Sequence, residues 1–162
     1  MATRGKRRPL PTSTRQAGQS LGPALDFLRA LWAVDHGLAR LSSQMERTIG
    51  VTGPQRLVLR LVNQLPGIGP ADLAAVLQVH RSVATGLIRR IEAKGLVRRE
   101  PDPQDARRWR LSLTEAGVRV NATDKGTIEA RVRQVVAGAS GAEAAVAVRL
   151  LERLAGALAA DL

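Results

Sequence analysis

Between Pro70 and Thr114 the chain writes a short helix, a tight turn, a longer helix and a basic hairpin in immediate succession, and no other stretch restricts the fold as strongly. The short helix starts at Pro70, whose fixed φ suits a first helical position, with Gly69 ahead of it as cap and Asp72 in the first turn. Leu73, Ala74 and Leu77 share one apolar stripe. Gln78, Val79 and His80 leave room only for a turn into a second helix packed across the first. That helix is predicted from Arg81 or Ser82 to Lys94, where Gly95 offers a left-handed cap and Leu96 closes back on Ile91.

At about 100° per residue, the second helix places Val83, Ala84, Leu87, Ile88 and Ile91 on one side. Ser82, Thr85, Gly86, Arg89 and Ala93 fall on the other. Small polar residues near the start and a guanidinium farther along suit entry into a major groove about 12 Å wide. An ordinary solvated helix face would have a similar profile, and the hairpin beyond Gly95 decides between them. Leu96 to Glu100 and Trp109 to Leu113 read as two strands, the second with Trp109, Leu111 and Leu113 alternating against Arg108, Arg110 and Ser112. The tip between them carries Pro101, Asp102, Pro103, Asp105, Arg107 and Arg108, and Thr114 stands where the next helix needs a cap. Together these elements describe a winged helix-turn-helix over residues 52–114, which implies binding to double-stranded DNA.

Asp105-Ala106-Arg107, then Leu113-Thr114-Glu115-Ala116-Gly117, preceded by Ile91-Glu92-Ala93-Lys94-Gly95-Leu96-Val97, occur in order and at compatible spacings. On these fragments, residues 21–162 resemble a MarR-family transcriptional regulator. The resemblance implies a mainly α fold with a small β wing, acting as a homodimer built from helices within 21–48 and 115–162. It implies that the helix at 82–94 reads the major groove through Ser82, Thr85, Gly86 and Arg89, while Arg107 of the wing reaches the minor groove. Arg81, Arg98, Arg99, Arg108 and Arg110 would then position the DNA backbone. It also implies that Asp105 steadies the wing tip by pairing with an arginine. Where the family often has Pro-Ser at the start of the recognition helix, this chain has Arg81-Ser82.

Charge placement agrees with that reading. The formal +11 divides into +5 over residues 1–20, +1 over 21–80, +5 over 81–113 and zero over 114–162, so the excess sits in the leading segment and the reading head. Residues 1–20, with Arg4, Lys6, Arg7, Arg8 and Arg15 among Pro, Thr, Ser and Gly, are expected to form a disordered basic arm. Only 2% of residues are aromatic, which favours an aliphatic, helix-packed core. No run approaches the roughly 18 apolar residues of a membrane span, and no apolar segment follows the basic start, so a cytoplasmic protein with no membrane partner is expected. The absence of cysteine excludes disulfides, thiolate-bound zinc and thiol-based oxidant sensing.

The remaining helices are predicted from Leu21 to about Thr48, from the Thr52-Gly53-Pro54-Gln55 capping box to near Pro66, from Glu115 to Val136 and from Ala142 to Ala160. In the first of these, Leu25, Leu28, Trp32, Leu38, Leu41 and Met45 are expected to form an apolar stripe. The wide apolar arc of the last, with Val146, Leu150, Leu151, Leu154 and Leu158, suits a partner subunit or intrachain packing. His36 and His80 are the only histidines, and no catalytic, metal or phosphate-loop constellation accompanies them, so neither enzymatic activity nor a cofactor is expected. Trp32, His36 and Arg40 lie at i, i+4 and i+8, a pattern suited either to a small aromatic or anionic effector or to ordinary packing and solvation. Two classes therefore stand: a ligand-responsive regulator on a palindromic operator, and a winged-helix interaction module or non-specific duplex binder.

Overall fold

The structure, a computed structural model, describes residues 20–105 and 107–159. Nearly all of the basic arm expected at 1–20 lies outside them. In chain order the elements are α1 (Pro23–Ile49), α2 (Gly53–Gln64), α3 (Pro70–Leu77), α4 (Arg81–Ala93), β1 (Val97–Pro101), β2 (Trp109–Leu113), α5 (Glu115–Ala122), α6 (Ile128–Ala137) and α7 (Gly141–Ala159). The chain is thus mainly helical with one small antiparallel sheet, in which Val97 pairs with Leu113 and Pro101 with Trp109. The described residues fall into two compact units, one ending at His36 and the other beginning at Gly37. In the first, Asp26 organises the entry to α1 by accepting from the Ser20 hydroxyl and the Leu21 amide.

In the second unit, local chemistry places each helix start. Thr52 Oγ1 accepts from the Gln55 amide while Gln55 Oε1 accepts from the Thr52 amide, the reciprocal box that the sequence predicts. Thr114 Oγ1 accepts from the Gly117 amide and donates to the Gly95 carbonyl, so one side chain caps α5 and ties it to the end of α4. Gly117 has to be glycine for a separate reason. A Cβ there would lie 1.9 Å from the Leu96 carbonyl oxygen, inside backbone that has no room to move.

The core gathers where α2, α3, α4 and the sheet meet. Val51, Val58, Leu59, Val62, Ile68, Leu73, Ile88, Ile91, Leu96, Val97 and Leu111 are buried in one cluster. The Leu111 amide donates to the Ile68 carbonyl at 3.0 Å, which fastens the wing to the loop between α2 and α3.

One buried charge joins this core to the C-terminal helices. Arg56, on the inner face of α2, is 1% exposed. Its guanidinium donates to the carbonyls of Val120, Asn121 and Thr123 at the end of α5 and to the carboxylate of Glu129 on α6. Burying a guanidinium is costly unless its donors are matched, and here the end of α5 and its cap turn three carbonyls toward it, that of Val120 shared with the Thr123 amide. This set of bonds corrects the expectation of a single helix from 115 to 136. The chain leaves α5 at Thr123, turns through Gly126 at φ +80°, and restarts at Thr127, whose Oγ1 accepts from the Ala130 amide. Arg60 extends the network to Glu129 and Asp124, and Arg133 pairs with Asp124 at 2.7 Å.

Desolvation alone would raise the Glu129 carboxyl. The hydrogen bonds from Arg56 and Arg60 outweigh it, and the net effect holds Glu129 below its ordinary value of 4.5. A carboxylate depressed in the folded state stabilises the fold above its unfolded value, and that contribution disappears as pH falls through the folded value. Urea unfolding between about pH 7 and pH 3 is therefore expected to show stability declining below about pH 4.5, with a shallower acid decline in Glu129→Gln. Arg56→Met, which withdraws the buried cation from Glu129 and three carbonyls, is expected to cost about 3–5 kcal/mol. An acid limb unchanged in Glu129→Gln, or an Arg56→Met protein of parental stability, would remove the network from this role.

Candidate nucleic-acid interface

The interface is assembled by turn chemistry. Pro70 opens α3 behind Gly69, and α3 ends at Gln78, which takes the left-handed conformation at φ 52°. The Gln78 and Val79 amides fold back on the carbonyls of Ala75 and Ala74. His80 then caps α4, with Nδ1 accepting from the Ser82 amide. At the far end the Gly95 amide donates to the Glu92 carbonyl and the Leu96 amide to the Ile91 carbonyl, with Gly95 at φ +66°. This is the left-handed closure that the sequence predicts. Lys94 locks the same end by donating to the Gly50 carbonyl and to Gln55 Oε1.

Both ends of α4 being held, its rotation is fixed. Ala84, Ile88 and Ile91 face inward and are fully buried, with Leu87 half-buried beside them. Val83, expected on the same stripe, is instead 51% exposed. It stands at the edge of the inward arc, which α2, α3 and β1 cover. Ser82 and Arg89 are exposed, and Thr85 and Gly86 are half-buried between them. A Cβ at Gly86 would meet nothing within 4 Å, so space stands open above this part of the helix.

The arginines that the sequence assigns to DNA separate into two groups. Arg99 makes a bidentate pair with Glu92 at 2.8 and 2.6 Å, joining β1 to the last turns of α4. Arg98 bonds Ser112 Oγ and Glu100, and Arg108 reaches Asp72 on α3 at 3.0 Å. Arg110 lies 3.8 Å from Asp102 and packs over Gly67, at a φ of +78°. Among the described residues, Arg81, Arg89 and Arg107 have no carboxylate partner, and neither does Arg90, which the sequence pattern does not single out. All four are exposed.

The wing tip differs from the expected ion pair at Asp105. Asp105 Oδ1 accepts from the Arg107 backbone amide at 3.0 Å, and the Arg108 amide returns to the Asp105 carbonyl. Asp102 supplies the carboxylate for an arginine, Arg110, and also accepts from the Gln104 amide. The tip is thus shaped by backbone turns, a shorter-range solution than a salt bridge from Asp105. On α1, Trp32, His36 and Arg40 are all exposed, Trp32 by 74%.

Comparisons with known proteins converge on the same elements. The MarR family model matches residues 51–109, spanning α2 through the start of β2. A protein of Thauera aromatica, assigned as transcriptional regulator of the hcr operon, is 32% identical over 115 residues, covering 68% of this chain and 69% of that protein. The chain belongs to the MarR family. Members of the MarR family are transcriptional regulators and not enzymes. Among solved structures, PcaV of Streptomyces coelicolor, in complex with its natural ligand, shares 27% identity at a TM-score of 0.66 and covers 86% of this chain and 99% of its own. MepR of S. aureus, in complex with DNA, matches at a TM-score of 0.66 with 23% identity, over 82% of this chain and 97% of that one.

His80, Lys94 and Arg90 are not legible as site residues in the sequence, because a cap, a helix-end anchor and an unpaired arginine are defined by neighbours that periodicity does not reveal. The bidentate Arg99–Glu92 pair sets the angle between wing and helix. Glu92→Gln is expected to lower unfolding stability by about 1 kcal/mol, as loss of one charge-assisted pair at a half-buried site. Thermal unfolding indistinguishable from the parent would show that the pair holds nothing.

Proposed function

We propose that this MarR-family regulator acts as a homodimeric, sequence-specific repressor on a palindromic operator, with α4 in the major groove and the wing tip against the minor groove. The observation that carries this reading is the division among the arginines. Arg98, Arg99, Arg108 and Arg110 brace the wing against carboxylates, while Arg81, Arg89 and Arg90 on α4 and Arg107 on the tip remain unpaired among the described residues. Unpaired guanidiniums on a helix rigidly held at both ends suit phosphate and base-edge contacts. Ser82, Thr85, Gly86 and Arg89 lie on the groove-facing side, with Arg81 at the helix start toward the phosphates. The fold shared with MepR in its DNA complex supports the same docking geometry.

Dimerisation is supported by the helices that end the second unit. No residue of α6 or α7 is buried, yet Val132, Val135, Val136, Val146, Leu150, Leu151 and Leu158 are apolar and 43–73% exposed. A two-fold pair would present two α4 helices about 34 Å apart, one helical turn of B-form DNA. Release by a small aromatic or anionic effector is the regulatory half of the proposal. The structural likeness to PcaV, solved with its natural ligand, supports it. The exposed Trp32 ring offers a stacking surface for such a compound.

Gel shifts with the DNA upstream of the chain's own gene and with random duplex test the reading. Arg89→Ala is expected to weaken operator binding by about 1–3 kcal/mol, roughly 5- to 160-fold, with little effect on random DNA. Arg81→Ala is expected to weaken both alike and to reduce the salt slope by about one. Equal losses on both duplexes for Arg89→Ala would favour a non-specific architectural binder instead. For the effector, Trp32 emission is expected to change on binding. An identified effector that releases Trp32→Ala from DNA at the parental concentration would dismiss Trp32 from its site.

A further inference from the structure

The cap of α4 bears on more than helix stability. His80 Nδ1 accepts from the Ser82 backbone amide at 3.3 Å, and Ser82 Oγ lies 2.8 Å from the same nitrogen. A ring nitrogen that accepts from an amide carries no proton, so Nδ1 presents its lone pair to the turn. Against an unprotonated Nδ1, a hydroxyl oxygen at 2.8 Å is attracted only by turning its own hydrogen toward the nitrogen. Two lone pairs facing each other would repel. The Ser82 hydroxyl proton is therefore spent within the turn, and the exposed outer side of Oγ offers lone pairs alone.

We propose that Ser82 reads the major groove only as a hydrogen-bond acceptor, with His80 the positioning residue that makes it so. In that groove adenine N6 and cytosine N4 present amino donors, whereas guanine O6 and N7 and thymine O4 are acceptors. A serine free to rotate serves either kind of edge, and this one serves only the first. The base facing Ser82 in each half-site is accordingly adenine or cytosine, preferred over guanine or thymine by about three- to tenfold, the value of one neutral hydrogen bond. The inference rests on α4 entering the major groove as proposed above, and it adds which chemical class of base the first turn selects.

Selection of bound sites from a randomised duplex library by the full chain, followed by sequencing, tests it. The parent is expected to enrich amino bases at one position per half-site. Ser82→Ala and His80→Gly are expected to flatten that position to near equality and leave the others unchanged. Glycine caps a helix almost as well as a polar residue, so His80→Gly keeps the fold. His80→Asn, which restores an acceptor at the cap, is expected to retain the preference. A position altered by Ser82→Ala that does not separate adenine and cytosine from guanine and thymine on either strand, or a full preference surviving in His80→Gly, would overturn the inference. An enriched site that Ser82→Ala leaves intact while Arg89→Ala relaxes it would also reject the inference and spare the function proposed above. No enriched sequence for the parent would remove both.

Discussion

A single buried guanidinium organises the second unit. Arg56 sits on the face of α2 that looks into the protein, where an unmatched charge would be intolerable, and the fold answers by bringing three carbonyls and a carboxylate to it. The carbonyls come from the end of α5, which has to stop there to provide them. The carboxylate comes from the first turn of α6, which has to begin where Glu129 can reach. One charge thus sets both the end of one helix and the start of the next. Because α2 also packs against α4, the element that anchors the C-terminal helices is the one that supports the reading helix.

Electrostatics around the wing obey a similar logic with the opposite outcome. A strongly basic surface repels itself, and pairing four of its arginines with Glu92, Glu100, Asp72 and Asp102 turns that repulsion into bracing. On this face the arginines without a carboxylate partner among the described residues are Arg81, Arg89 and Arg90 on α4 and Arg107 at the wing tip. The rigid placement of a few guanidiniums, with the rest committed to holding them, suits a surface that must meet a regular array of phosphates.

Legibility in the sequence tracks the range of the interactions involved. The Thr52 box, the Thr114 cap and the Gly95 closure are each written within about five residues, and the structure has all of them, whereas the alternation expected in β2 holds at Leu111 and fails at Trp109, which is exposed. The break between α5 and α6 is invisible in the sequence because its cause, Arg56, lies more than 60 residues away in the chain. Val83 is misplaced for a related reason, since a helical wheel gives the direction of a side chain but not how wide an arc the neighbours cover. At the wing tip the short turn bonds of Asp105 win over the ion pair that the family resemblance suggests. The apolar arc of α7 is legible as apolar, whereas its exposure in a single chain requires the packed structure.

The claim on which the functional account turns is that α4 and the wing tip, held rigid from behind, form the surface that meets DNA. Amide chemical shifts tracked by NMR during titration with an operator duplex test it most directly. The account requires the perturbations to concentrate at Arg81–Arg90 and around Arg107. Perturbations confined to α6 and α7, with α4 silent, would contradict it.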